Sequence, residues 1–433
     1  MHFVTRAAPK TTSIHAAGLA ALGGTLIFYD FLSFAFLIPI IGRLFLPADT
    51  APYLAIVQTF GIFAAGYIFR PLGGIVLGRF GDIIGRKRIF AFSILLMTFS
   101  TLAISALPTY HTIGVAAPLL LVAFRLLQGI ALCGEVPGAW TYVAEHCPRQ
   151  CFGLICGITT SGFTVAIFIA SLVTAGIYLV FSIAEIEAFA WRIPLWIGGI
   201  LGLPAVYMRW RLTETSTFIN PVQEQLLIAK LPLATVLRNY PSNVVVSFLL
   251  TWVVSAVIIV AILMPATLLQ TAYGYSAEHA LISTCVGSLF LALSTIVAGA
   301  VIDRLGVAFC LMVGSVLFAF ATIMFYSSIG SSIGTLYLGF VLMGTAAGML
   351  AAAPYVMVTA FPARVRVTGI SFSYNVSYAV FGASTPVALA WLIHFNKLAP
   401  AYYLMFIALL AFGIGVYIQK RPGTLENAGE LDG

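Results

Sequence analysis

Apolar runs of roughly 20 to 25 residues recur along almost the whole chain, and each ends at a short turn or a charged cluster. About 20 apolar residues in a helix span the hydrocarbon core of a bilayer. The runs do not alternate at every second residue, as the strands of a membrane barrel do. The sequence therefore predicts an all-α polytopic membrane protein with twelve transmembrane helices. Spans 1 to 12 are predicted at residues 16–46, 54–77, 89–107, 115–143, 152–181, 191–208, 243–269, 280–302, 307–326, 335–360, 369–393 and 402–418.

The distribution of charge predicts which way these spans cross the bilayer. Only 8% of the 433 residues are charged, against about 25% in soluble proteins. With the N-terminus in the cytoplasm, sixteen of the twenty-one Lys and Arg residues lie in cytoplasmic segments, as the positive-inside rule requires. The net charge of +7 thus follows from topology and does not indicate nucleic-acid binding. We expect a multi-pass protein of the cell inner membrane with both termini in the cytoplasm.

The second half of the sequence repeats the first. The loop 78–87 after span 2 and the loop 299–306 after span 8 both carry spaced glycines and an aspartate, and Asp82 and Asp303 are 221 positions apart. Gly153 after span 4 and Gly369 after span 10 are 216 positions apart. A near-constant offset predicts two parallel six-helix repeats around a site at the bilayer midplane.

The longest polar interval lies between spans 6 and 7 and separates these repeats. The predicted organisation is a cytoplasmic N-terminal segment at 1–15, a first six-helix bundle at 16–208, a cytoplasmic linker at 209–242, a second bundle at 243–419 and a cytoplasmic tail at 420–433.

Two ionisable residues fall near mid-depth in the first bundle, Asp30 in span 1 and Arg125 in span 4. Such a group costs at least about 2.5 to 3.5 kcal/mol to insert, so each is a functional candidate. A movable pair would let Asp30 alternate between protonated and ionised forms, which is the minimum required for proton coupling. When Asp30 is protonated, Arg125 is free to bind a substrate carboxylate with two hydrogen bonds. The alternative is a static ion pair that only fixes helix packing.

Further candidates surround this pair. Glu135 lies about 15 Å beyond Arg125 toward the cytoplasm and is expected to support proton coupling or gating. Arg70 in span 2 is a candidate either for binding the substrate or for pairing with Glu135. The candidates for neutral contacts with a small polar solute are Tyr29, Gln128, Tyr374 and Asn375.

The sequence lacks the residue patterns of metal sites, nucleotide-binding sites and enzyme active sites. The six cysteines show no paired spacing, which favours small packing residues over a metal site. No phosphate-binding loop is present, so ATP-driven transport by this chain alone is disfavoured. No histidine lies at mid-depth, and no nucleophile and base share one depth. We therefore expect no cofactor and no enzymatic activity, and a protein whose partners are a small solute, protons and the lipid bilayer.

The loop 78–87 resembles the signature of the major facilitator superfamily, Gly-x-x-x-Asp-(Arg/Lys)-x-Gly-Arg-(Arg/Lys), with Ile83 at a usually basic position. The resemblance implies a latch between the two halves, in which the glycines allow close helix contact and the aspartate faces a helix N-terminus or an arginine. The residues assigned to this latch and to its repeat are Gly78, Asp82, Gly85, Arg86, Lys87, Asp303, Arg304, Arg364 and Arg366.

Within that superfamily the chain resembles the metabolite:proton symporters, which carry citrate, 2-oxoglutarate, shikimate, or proline and betaine. The matching stretches include residues 29–31, 70–74, 125–129 and 364–366, while Ile27 and Cys133 depart from the family pattern near the expected site. The resemblance implies secondary active transport, as proton-coupled symport of a small organic acid or zwitterion by alternating access. The alternatives are an exporter or exchanger of an unrelated solute on the same fold, and a membrane receptor or channel without active transport.

Overall fold

The computed structural model describes residues 10–84, 86–146, 149–211, 232–363, 365–421 and 423. Within these residues every predicted span coincides with a helical segment, and no strand occurs. Spans 2, 4, 5, 7, 8, 9, 10 and 12 are long and apolar enough to cross a bilayer as single helices, and span 1 is so as a bent pair. Spans 3, 6 and 11 complete the twelve positions, which confirms the all-α polytopic prediction.

The first half contains spans 1 to 6. Its helices are Lys10–Phe36 and Ile38–Phe45 in span 1, Pro52–Ile68 and Arg70–Ile84 in span 2, Arg86–Ala106 in span 3, Ala116–Leu132 and Glu135–His146 in span 4, Phe152–Val180 in span 5 and Ile193–Arg211 in span 6. The short helices between these spans are Tyr110–Ile113, Arg149–Cys151, Ile183–Ala188 and Ala190–Arg192.

The second half contains spans 7 to 12, preceded by the short helix Pro232–Asn239. Its helices are Pro241–Ala256, Val257–Leu263 and Met264–Thr271 in span 7, Ala277–Leu305 in span 8, Val307–Ser328 in span 9, Ile333–Ala346, Ala347–Ala351 and Ala352–Ala360 in span 10, Arg366–Ser377, Tyr378–Gly382 and Ala383–Leu392 in span 11, and Ala399–Lys420 in span 12. The middle pieces of spans 7 and 11 are π-helical, and that of span 10 is a 3₁₀ helix.

The irregular turns of spans 1, 4, 7, 10 and 11 each lie beside a proline. Proline has no backbone N–H, so the carbonyl four residues earlier loses its helical partner and the helix bends or changes its winding. The bend between the two pieces of span 1 is 63°. The prolines concerned are Pro39, Pro137, Pro265, Pro354 and Pro386. In span 4 the break falls between Leu132 and Glu135, just before Pro137.

The same helix contacts occur in both halves. Gly129 of span 4 packs directly on the carbonyl of Gly66 in span 2, and Gly344 of span 10 packs in the same way on the carbonyl of Gly287 in span 8. Gly287 follows Gly66 by 221 positions, the offset already seen between the two loop aspartates. Glycine is needed here because any side chain would collide with the facing backbone. The repeat detected in the sequence is therefore also a repeat of backbone packing.

Candidate functional site

A cavity of about 50 Å³ lies between the two halves near the middle of the spans. Spans 1, 4 and 5 of the first half and spans 7, 10 and 11 of the second half contribute its walls. The lining residues are Phe28, Leu32, Trp140, Thr160, Phe163, Thr164, Ile167, Val254, Ile258, Leu350, Ala353, Tyr374 and Tyr378. The walls are thus mainly aromatic and aliphatic, with two threonines and two tyrosines, and no lining residue is charged.

Arg70 lies directly behind one wall of this cavity. Its guanidinium carbon is 4.5 Å from the ring centroid of Tyr378, 5.1 Å from that of Tyr374 and 5.8 Å from that of Tyr67. The side chain is 1% exposed, and in the part of the chain that the structure describes its Nε and Nη2 atoms have no hydrogen-bond partner. Because Tyr374 and Tyr378 also line the cavity, two rings separate a buried cation from the space between the halves.

Arg125 is held inside the first half. Its Nη1 donates to the carbonyl of Phe31 at 3.2 Å and to Oε1 of Gln128 at 2.8 Å, and its Nη2 donates to the carbonyl of Phe63 at 3.1 Å. The guanidinium carbon also lies 4.1 Å from the ring centroid of Phe31. These contacts tie spans 1, 2 and 4 together, and Arg125 does not line the cavity.

Asp30 is 1% exposed and faces span 6 instead of Arg125. Its carboxylate contacts the backbone at Gly198, where only a glycine leaves it room, and its Oδ1 has no hydrogen-bond partner among the described residues. The coupled pair expected at the centre of the site is not formed, because both residues lie in described segments and no ion pair joins them. Consecutive side chains on a helix point about 100° apart, and the ring of Phe31 lies against the Arg125 guanidinium, so the Asp30 side chain points in another direction.

The other predicted solute contacts are distributed between the cavity and the packing around it. Tyr374 lines the cavity. The hydroxyl of Tyr29 donates to the carbonyl of Pro194 at 3.1 Å, and Nε2 of Gln128 donates to Thr101 at 2.9 Å, so both are used within the first half. Nδ2 of Asn375 donates to the carbonyl of Cys133 at 2.9 Å across the two halves.

Glu135 is 3% exposed and begins the second piece of span 4. It is one of the buried groups of the first half, and its role in proton coupling or gating stays a prediction.

Asp303 joins the halves at the predicted cytoplasmic face. Its Oδ1 accepts a hydrogen bond from the backbone N–H of Gly153 at 2.6 Å, and its Oδ2 accepts one from that of Leu154 at 2.8 Å. These N–H groups belong to the first turn of span 5, where a helix has free donors and a partial positive charge. The carboxylate of span 8 in the second half thus caps a helix of the first half, which is the geometry that a latch requires.

The rest of the predicted latch is only partly described. Arg366 is 2% exposed and its Nε donates to the carbonyls of Val358 and Phe361, while Arg304 is exposed. Gly85 and Arg364 lie outside the described residues. So do the side chains at four positions whose backbone is helical, namely Gly78, Asp82, Arg86 and Lys87.

The halves also meet on the opposite side of the cavity. The rings of Tyr53, at the start of span 2, and His394, after span 11, stack with centroids 4.5 Å apart. On the predicted cytoplasmic side, Trp140 of span 4 contacts Tyr374 of span 11 edge to face at 5.4 Å. The two halves are therefore in contact both above and below the cavity.

The sequence analysis did not identify the face of span 5 that lines the cavity. Thr160, Phe163, Thr164 and Ile167 all line the cavity. Their spacing of three and four residues places them on one face of a helix, and this pattern was the available signal. Trp140 also lines the cavity, and its Nε1 has no hydrogen-bond partner among the described residues.

Two repeated six-helix halves with a cavity between them are an architecture of secondary transporters. A comparison with protein families agrees, since residues 20–290 match the family model of the Major Facilitator Superfamily. The chain belongs to the major facilitator superfamily. It is a transporter and not an enzyme.

Curated relatives cover most of the chain. A protein of Staphylococcus aureus (strain COL) named putative proline/betaine transporter is 32% identical over 405 residues, which cover 90% of this chain and 85% of the relative. The proline/betaine transporter of Escherichia coli (strain K12) is 30% identical over 431 residues, covering 93% and 82%.

Solved structures share the fold at low sequence identity. The xylose transporter XylE from E. coli, in a partially occluded inward open conformation, aligns with a TM-score of 0.71 at 13% identity and covers 95% of this chain and 98% of that one. The human organic anion transporter MFSD10 aligns with a TM-score of 0.67 at 15% identity, covering 94% and 100%. These likenesses support the fold.

Proposed function

We propose that this transporter imports a small carboxylate-bearing solute, an organic acid or a zwitterion, together with protons. The observation that carries the proposal is the position of Arg70, a buried cation behind the tyrosines of the cavity wall, two of whose donor atoms have no partner among the described residues. A buried donor left without a partner costs about 1 to 3 kcal/mol, and more when it is charged. A solute carboxylate that reached Arg70 would remove this cost with two charge-assisted hydrogen bonds.

The cavity supports a solute whose other end is weakly polar or cationic. Three aromatic rings line it in addition to the two tyrosines, those of Phe28, Trp140 and Phe163. Aromatic faces attract cations, and clustered aromatic rings are a common recognition site for quaternary ammonium groups. The names of the curated relatives, proline/betaine transporters, favour a zwitterion over a dicarboxylate.

Asp30 supports proton coupling. An ionised carboxylate surrounded by protein without a partner is costly, so an acid at this depth is expected to exchange protons during a working cycle. In this conformation the carboxylate lies against Gly198 and not in the cavity. We propose that the proton binds within the first half and the solute between the halves, and that movement of span 1 couples them.

The orientation follows the positive-inside rule. We propose that the chain lies in the inner membrane with both termini in the cytoplasm, and that the segments 16–208 and 243–419 move against each other about the linker 209–242. The latch of Asp303 then lies at the cytoplasmic face, where it holds that side closed.

Uptake into proteoliposomes with an imposed proton gradient tests the proposal. The panel is labelled proline, glycine betaine, citrate and 2-oxoglutarate, with empty liposomes as the control. We expect one of these solutes to accumulate above its external concentration and a protonophore to abolish the accumulation. Accumulation that survives the protonophore would contradict proton coupling, and equilibration without accumulation would indicate a channel or an exchanger.

A further inference from the structure

The carbonyl of Cys133 in span 4 has lost its ordinary helical partner. In a helix this carbonyl would accept a hydrogen bond from the N–H of residue 137, but that residue is a proline. The next carbonyl along, that of Gly134, accepts normally from the N–H of Gly138 at 2.9 Å. One acceptor of the helix is therefore freed at a defined place, just where the two pieces of span 4 meet.

A side chain of the other half occupies this acceptor. Nδ2 of Asn375 in span 11 donates to the carbonyl of Cys133 at 2.9 Å, and Asn375 is 1% exposed. The contact also fixes the orientation of the amide, because the reverse orientation would place Oδ1 against the carbonyl oxygen. Span 2 also lies beside this amide, since a Cβ added at Gly74 would be at ordinary contact distance, 3.6 Å, from the same Nδ2.

The bond lies beside the residues that close the cavity. Tyr374, the neighbour of Asn375, lines the cavity, faces the guanidinium of Arg70 and contacts Trp140 of span 4. A movement of span 11 that broke the Asn375 bond would therefore move the tyrosine that separates Arg70 from the cavity.

We propose that Pro137 and Asn375 form a switchable hydrogen bond that holds the predicted cytoplasmic side of the cavity closed. Pro137 frees the Cys133 carbonyl in the first half, Asn375 occupies it from the second half, and the bond breaks each time that side opens. Asn375 is thus a gate residue and not a solute ligand. The inference rests on the proposed alternating-access transport but on neither its solute nor its coupling ion.

The test measures opening directly. A cysteine replaces Ala353, which lines the cavity, in a chain whose six native cysteines are changed to alanine. Its alkylation by a membrane-impermeant maleimide is followed in inside-out vesicles without solute or proton gradient. Asn375→Leu removes the donor and retains the approximate volume. A buried hydrogen bond contributes about 0.5 to 1.5 kcal/mol, so we expect alkylation to be roughly 2- to 13-fold faster.

Pro137→Ala supplies an N–H that competes for the Cys133 carbonyl, and it should also accelerate alkylation. Because both changes remove the same bond, the double variant should be no faster than the faster single variant. Two controls match them. Pro204→Ala replaces a proline inside span 6, and Ser377→Ala removes a span 11 hydrogen bond to Phe248 within the second half. Neither control should change the rate.

Unchanged alkylation in folded Asn375→Leu protein would overturn the inference, and so would additive effects of the two changes. Loss of solute binding at an unchanged alkylation rate would make Asn375 a solute ligand instead. Folding is checked by the thermal unfolding temperature of the purified variants. Alkylation needs no transported solute. The gate can therefore be tested even if none of the four solutes is taken up, and the two proposals can fail separately.

Discussion

Three arginines are buried within the described spans, and their surroundings indicate different roles. Arg125 and Arg366 donate to main-chain carbonyls, at Phe31 and Phe63 and at Val358 and Phe361 respectively. Arg70 is instead enclosed by tyrosine rings, and two of its donor atoms have no partner within the described residues. Bonds to the backbone fix helix packing, whereas unpaired donors beside a cavity remain available to a solute.

Arg70→Lys should therefore weaken solute binding while leaving the fold intact. Lysine keeps the charge but lacks the planar fork that binds a carboxylate with two hydrogen bonds, so we expect a loss of roughly 1.5 to 3 kcal/mol in binding free energy. The measurement is the equilibrium affinity of the purified protein for its transported solute.

Arg125→Lys is the matched comparison, because it makes the same chemical change at an equally buried arginine. It leaves the carbonyls of Phe31 and Phe63 without their donor, so the thermal unfolding temperature should fall more than for Arg70→Lys. If the Arg125 variant lost affinity at unchanged stability and the Arg70 variant lost none, the carboxylate contact would belong to Arg125, as the sequence suggested.

Asp30→Asn should separate binding from energy coupling. The amide resembles the protonated acid, so solute binding and exchange should persist, while accumulation driven by the proton gradient should be lost. Counterflow and gradient-driven uptake are measured at matched protein levels. A variant that still concentrated its solute would remove Asp30 from the mechanism.

At the scale of helices, spans 5 and 8 cross with their backbones in direct contact. The carbonyl of Gly153 faces Gly299, and Gly157 packs on the carbonyl of Thr295. Asp303 lies one turn beyond Gly299 on the same helix, so this crossing also positions the latch. Small residues are required because a side chain at either glycine would push the two halves apart.

Gly299→Ala should therefore slow transport by holding the halves apart at this face. Overpacking costs about 1 to 3 kcal/mol, which corresponds to a shift of roughly 5- to 150-fold against the closed state. Initial uptake rates at equal amounts of protein measure the effect. Gly413→Ala on span 12 is the control, since a Cβ there meets nothing within 4 Å. Equal rates for the two variants would show that the crossing tolerates a side chain.

The helices were more predictable than the site, for a physical reason. Bilayer thickness fixes the length of each apolar run, so all twelve spans were located from hydrophobicity alone. The direction of a side chain depends on helix rotation and on partners far away in sequence. The prediction that Asp30 pairs with Arg125 used depth alone, and in the structure the Asp30 carboxylate faces Gly198. Proline positions were visible, but only the backbone shows whether a span responds with a bend, a 3₁₀ turn or a π turn.

At the scale of the whole molecule, the halves touch on both sides of a cavity of about 50 Å³. Alternating access requires the cavity to open to only one side of the membrane at a time. Binding must therefore accompany a separation of the halves on one side. The contacts on the other side must meanwhile persist if the solute is not to leak through.

Asp303→Asn tests whether the latch helps to keep the predicted cytoplasmic side closed. The variant loses the charge that faces the N-terminus of span 5, worth about 0.3 to 1 kcal/mol and up to ~2 when partly buried. We expect a lower transport rate with solute affinity changed by no more than a few fold, because the latch lies away from the cavity. Uptake rate and equilibrium binding are compared on the same preparation.

Glu187→Gln is the control for charge removal, since its ion pair with Arg43 is exposed and lies within the first half. This variant should transport at the normal rate. A large loss of binding in Asp303→Asn at a normal rate of cycling would contradict a latch.

Among the described residues, two hydrogen-bonded contacts between the halves share an asymmetry. Asp303 and Asn375 supply side chains from the second half, and their partners in the first half are main-chain groups of Gly153, Leu154 and Cys133. Main-chain groups are the same in every sequence that keeps the backbone path. A chimera that took its first half from another member of the superfamily would thus keep both contacts, provided that it kept the start of span 5 and the proline of span 4. The side chains of these two contacts are inherited with the second half, and the first half can change any side chain that leaves those main-chain groups in place.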